Sequence, residues 1–117
     1  MMKVPERGDI YHIDADPKER RDAKDRERFI VVTRSEINRL GVAITVPVST
    51  SIAFAKATGL TVAIHGYDTT GVAICNKVRS FDIENRVRQG SARFIESLDD
   101  SLMREIINRV VSVIDPA

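Results

Sequence analysis

The run GVAITVPVST at residues 41–50 restricts the fold more than any other stretch, because a continuous apolar segment ending on two hydroxyls reads as a central, mostly buried strand. Val42, Ile44, Val46 and Val48 share one face at period two, and Ala43 and Thr45 alternate with them. Pro47 has no N–H to give to a ladder. The end of the strand is therefore expected at a sheet edge or bending outward, with Ser49 and Thr50 presented to solvent. Two hydroxyls at the mouth of a small sheet suit chemistry, and they equally suit the opening of a turn.

The rest of the chain sets the scale around that strand. With 117 residues, 43% hydrophobic and 30% charged, it is long enough for one domain with a real core and too apolar for disorder. The single Cys75, in an apolar VAIC setting, excludes an intramolecular disulfide framework and reads as a packed core thiol. One cysteine and two distant histidines cannot assemble a zinc site. The start, MMKVPERGD, lacks an apolar segment of signal-peptide length, and no window approaches a membrane span, so a cytoplasmic protein is expected. A formal net charge of +1 means that a nucleic-acid site must come from local clustering of cations.

Residues 8–15, GDIYHIDA, alternate as a first strand, with Tyr11, Ile13 and Ala15 on one face and His12, an exposed strand residue, with Asp14 on the other. Asp16-Pro17 ends it. The following run, KERRDAKDRER at 18–28, holds six basic and four acidic residues without apolar periodicity, which predicts a long charged loop of the kind that binds a substrate or partner. FIVVT at 29–33 predicts a second buried strand with Arg28 at its entrance, and residues 35–39 allow one helical turn. In the small-residue loop after Thr50, Phe54 beside Lys56 could stack a base against a neutralised phosphate or fold back as a plug. Strands are predicted at 60–65 and 70–78, the latter carrying Asn76 and Lys77 at its polar end, then at 79–83 with Phe81 and Ile83 inward. A charged turn at 84–90 and a last strand at 92–95 precede a helix starting at Ser97, whose hydroxyl and Asp100 resemble a capping box. Leu98, Leu102, Ile106 and Val110 form the helix stripe, with Met103, Ile107 and Val111 beside it. Six or so short strands and a terminal helix make a mainly β chain, a small antiparallel sheet closing into a partial barrel.

The order of these segments resembles the PemK/MazF family of toxins of toxin-antitoxin systems, and its PemK branch most closely. The matching residues are Glu6 through Tyr11, Asp16-Pro17, Asn38-Arg39, Val46 through Thr50, Phe54 through Lys56, Thr58-Gly59, Thr69 through Val72, and the closing helix, together covering nearly the whole chain. The resemblance implies an SH3-like barrel that dimerises, cleaves single-stranded RNA in a sequence-dependent way and is neutralised by a cognate antitoxin wrapped over its groove. It implies no cofactor and no membrane. By motif, the family's catalytic arginine corresponds to Arg28, although Phe29 stands where proline is usual and a one-residue shift would place Glu27 there. The catalytic hydroxyl maps to Ser49, with Thr50 beside it. Ile74 and Asn76 occupy the places of an arginine and an aspartate of the PemK branch, and Arg21 that of a loop histidine.

RNA cleavage without a metal requires activation of the 2'-hydroxyl, compensation of charge on the phosphate and protonation of the departing 5'-oxygen. Arg28 suits the second task, since a guanidinium stays charged and forks onto two phosphate oxygens. Ser49 or Thr50 can donate to the same phosphate, and Asp22, Asp25 or Glu27 is the expected base. Arg20, Arg21, Phe54, Lys56, Thr70, Asn76, Lys77 and Arg79 are the candidate substrate contacts. Two other classes share such a barrel: a non-catalytic, gyrase-poisoning or otherwise protein-binding toxin, and a plain interaction module.

Overall fold

The computed structural model describes residues 3–14, 27–50 and 60–115. Strands β1 (Asp9–Ile13), β2 (Glu27–Val31) and β3 (Ala43–Ser49) are followed by β4 (Thr61–Ile64), β5 (Gly71–Ile74), β6 (Arg79–Phe81) and β7 (Ala92–Ser97). Helices α1 (Ser35–Asn38), α2 (Ile83–Arg88) and α3 (Asp100–Ile114) complete the described elements. Every strand pairing is antiparallel, in the order β4-β5-β3-β2-β1-β7, with β6 also on β3. The mainly β fold with a C-terminal helix is the one expected.

β3 is central, as its apolar run predicts, but Pro47 does not end it. Pro47 lies opposite Phe29 of β2, and the strand continues to pair Val48 and Ser49 with Ala73 and Val72 of β5. The reason is visible on the other edge of β3, where β6 pairs as far as Thr45 and β5 takes over at Val48. Val46 and Pro47 fall between the two neighbours, at the one place in the strand where pairing changes hands.

Side-chain alternation divides the interior. On one face Ile10, Ile30 and Val46 join Val62, Ile64, Cys75 and the helix residues Met103, Ile106 and Val110. On the other, Tyr11, Ile13, Phe29, Val31, Ala43, Phe81 and Ile83 form a second cluster, in which Phe29 and Phe81 meet edge to face at 4.9 Å. Burying a side chain such as Ile106, fully enclosed here, contributes roughly 1.5–3 kcal/mol, so the helix is held by its apolar stripe. Cys75 is a buried core thiol, and burial pushes its pKa up to about 11.

Several local expectations shift. Val42 and Val111 are exposed rather than inward. Asn76 and Lys77 follow β5 in a turn, since β5 ends at Ile74. The charged segment at 84–90 is mostly helix α2, because the Asp82 carboxylate accepts from the Asn85 N–H and caps it. Ser97 ends β7 and donates to Asp9; the cap of α3 is Asp99, whose carboxylate accepts from the Leu102 N–H at 2.8 Å.

The Glu6-Arg7-Gly8-Asp9 segment closes the sheet against its last strand. Arg7 donates to the Val32 carbonyl, and the buried Asp9 accepts from the Glu6 N–H and Ser97 while pairing with Lys3 at 3.1 Å. No helix among the described residues is long and apolar enough to cross a membrane.

Candidate active site

Arg28 is the second residue of β2, one step inside the strand rather than at its entrance. It opens into a cleft of about 510 Å³ lined by Glu27, Arg28, Val48, Thr50, Asp68, Thr69 and Thr70. The guanidinium Nη1 donates to Thr69 Oγ1 at 2.7 Å. A guanidinium carries five N–H groups, so this bond fixes its direction and leaves the fork for an anion.

Thr69 is itself held. Its backbone N–H donates to Glu96 Oε2 at 2.6 Å, and the Asp68 N–H donates to Oε1 at 3.3 Å. Burial would raise the Glu96 pKa, but the hydrogen bonds from the Thr69 side chain and backbone and from the Asp68 N–H outweigh it, and the Arg28 charge adds to them, so the carboxyl sits below its usual value. Two residues before Thr69 in the same loop, Tyr67 donates to Asp99 at 2.5 Å and accepts from the Asp99 N–H at 2.9 Å. The loop between β4 and β5 is thus fastened to β7 and to the start of α3, and Arg28 is fastened to the loop. The site is built before any ligand arrives.

Of the residues singled out in the sequence, the structure brings together Arg28, Thr50, Thr70 and the candidate base Glu27. Ser49 is half-buried at the end of β3, opposite Val72, and does not line the cleft among the described residues. Asn76 and Lys77 lie in the turn after β5. Arg79 sits on the opposite sheet face, its guanidinium 4.9 Å from the Phe81 ring centroid and 5.9 Å from that of Phe29. Ile74, where the PemK branch is expected to carry an arginine, is buried in the core. Arg20, Arg21, Asp22, Asp25, Phe54 and Lys56 lie outside the described residues. Sequence reasoning missed Asp68, Thr69 and Glu96 as site residues. Thr69 stood inside the Thr-Thr-Gly-Val match and was available from it, whereas Glu96 reaches the cleft across a sequence separation of 27 residues and leaves no local trace.

The cleft bearing Arg28 thus opens between β2 and the end of β3 in a mainly antiparallel fold with a C-terminal helix. The chain belongs to the family described as the PemK-like, MazF-like toxin of type II toxin-antitoxin systems, whose model matches residues 6–114. It is 29% identical over 112 residues to Endoribonuclease PemK of Escherichia coli, covering 93% of this chain and 81% of that protein. It is 28% identical over 113 residues to Endoribonuclease toxin ChpB of Escherichia coli K12, covering 94% of each. Among solved structures, MazF from Deinococcus radiodurans superposes with a TM-score of 0.76 at 19% identity, covering 97% of this chain and 98% of that one. A chain of a MazE-MazF crystal structure from the same organism superposes at 0.75 and 18%, with the same coverage.

Proposed function

We propose that the chain is an endoribonuclease toxin that cuts single-stranded RNA without a metal and is held inactive by a cognate antitoxin. The observation that carries this reading is the Arg28 guanidinium, pre-aimed by Thr69 in a cleft that Thr50 and Thr70 line with hydroxyls. Such a group offsets the extra negative charge on a phosphate under attack, the task a metal would otherwise perform. The relatives named endoribonucleases support the reaction class, and the MazE-MazF complexes support the antitoxin. Attack by the 2'-hydroxyl would leave 2',3'-cyclic phosphate ends, and the protein would act in the cytoplasm.

Purified protein incubated with single-stranded RNA in EDTA is expected to cleave it and leave those ends, as read by mapping the product termini. Cleavage lost in EDTA and restored by magnesium would defeat the metal-free mechanism. Intact RNA in every condition would leave the non-catalytic, protein-binding toxin, the reading that Ile74 and Asn76 favour by standing where the PemK branch is expected to carry charged residues. The toxin is also expected to be a homodimer, because exposed Leu40, Val111 and Ile114 leave apolar surface that a two-fold contact would cover. A sedimentation mass near the 13.1 kDa of one chain would count against that.

A further inference from the structure

Arg28 is not alone at its end of the sheet. In the β1–β2 ladder its direct partner is His12, and in the β1–β7 ladder His12 is in turn opposite Arg93. Opposed residues of an antiparallel pair project from the same face with Cβ atoms about 5 Å apart. The neighbouring residues show this on the other face, where Tyr11 lies opposite Phe29 and Phe94 and meets the Phe94 ring at 5.7 Å. Arg28, His12 and Arg93 therefore form one row across β2, β1 and β7. His12 and Arg93 also line a hollow of about 310 Å³ with Asp14, Gly90, Ser91 and Ala92. One strand spacing, about 4.8 Å, separates β1, which carries His12, from β2, which carries Arg28.

We propose that His12 is the general acid of this cleft, giving a proton to the 5'-oxygen that leaves the phosphate held by Arg28. The inference rests on the nuclease reading and names the group that reading lacks. The residues lining the cleft of Arg28 supply carboxylates, hydroxyls and a guanidinium. A carboxylate is ordinarily ionised at neutral pH and takes protons, while hydroxyl and guanidinium groups hold theirs too tightly to give them up. An imidazole both carries and releases a proton in the working range. Among the described residues, the charged groups facing it are Arg28 from β2, Arg93 from β7 and Asp14, two residues along its own chain and on the same face.

Placement also divides the labour. Asp68 and Glu27 line the cleft of Arg28, whereas His12 lines a separate hollow from β1, the strand paired with that of Arg28. A carboxylate takes the 2'-hydroxyl proton as the 2'-oxygen bonds to phosphorus. The bond from phosphorus to the 5'-oxygen breaks, its electron pair passes to that oxygen, and the imidazolium proton follows. His12 is left neutral and regains a proton from water, and no oxidant or further reactant is needed.

The test compares two RNA substrates, one with the natural 5'-oxygen and one with sulfur bridging at that position, since a thiolate departs without being protonated. With the natural linkage, His12→Ala is expected to lose about 10² or more in kcat with little change in KM, the span general acid catalysis supplies. With the sulfur linkage, it should cleave nearly as fast as the wild type. Added imidazole should restore part of the rate to His12→Ala, and His12→Gln, which keeps the bulk of the side chain, should show the same pattern. Equal losses on both substrates, or no loss on either, overturn the assignment. Wild-type protein inert on both substrates overturns the nuclease reading itself, so the two failures are told apart by which protein fails.

Discussion

Arg28→Ala is expected to lower the rate of RNA cleavage by about 10² or more while weakening binding far less, because the proposed mechanism uses the group removed as a preorganised donor aimed at charge that grows during the reaction. Arg28→Lys should not recover the full rate. An ammonium keeps the charge but cannot hold Thr69 and fork onto a phosphate at once. Glu96→Gln should show a smaller loss of the same kind, since Glu96 acts only by holding Thr69 and Asp68 in place. Its linkage has a definite sign. The folded carboxyl has a lowered pKa, so its contribution to stability is present above the ordinary carboxylate range and is lost as the pH falls through the lowered value. Single-turnover rates and RNA affinities measured on the same variants check these statements. If Arg28→Ala cleaves at the wild-type rate while an Arg21 or Arg26 variant is dead, the catalytic cation lies earlier in the chain.

Gly71→Ala should be the most destabilising small substitution in the site region. Gly71 has φ +129, a region that side-chain-bearing residues rarely enter, and a Cβ there would collide with the Ser49 carbonyl oxygen and lie 3.0 Å from its carbon. Backbone cannot swing aside as a flexible side chain can. Strain of this kind costs roughly 1–3 kcal/mol, and the collision with β3 adds to it. Gly66→Ala is the control, with φ +83 but nothing within 4 Å of a built Cβ, so that strain acts there without collision. Denaturant midpoints should fall much further for Gly71→Ala than for Gly66→Ala. Equal shifts would show that the close approach of β5 to β3 is not what Gly71 serves.

Much of this architecture could be read from period-two alternation and from the ordered motifs. The apolar run of β3, the FIVVT strand and the stripe of α3 each carry a local periodic signal, and each lies in the core. What escaped was set by tertiary choice between local options. Ser97 and Asp99 are both good helix caps, and the sheet took Ser97 as a partner for Asp9, leaving the cap to Asp99. The segment at 84–90 has too few apolar residues to announce a helix, and α2 instead buries Ile83 at its first position behind the Asp82 cap. His12 reads as an ordinary outward strand residue until strand order places it between Arg28 and Arg93. Register is a long-range property, and a lone histidine carries no record of it.

The change of partner along β3 has a mechanical consequence. β2, with Arg28, lies along one edge of that strand, while β5, at the end of the loop bearing Thr69, joins the other edge only beyond Pro47. The two walls of the cleft therefore belong to different arms of the sheet, and β3 is their shared spine. Proline is the residue with the least backbone freedom, its φ fixed by its ring. A stiff joint at that point sets the gap between the walls when the chain folds. For the proposed RNA substrate the cleft would then work as a gauge, admitting a strand whose backbone already fits the opening, where a hinged pair of jaws would close on strands of many shapes.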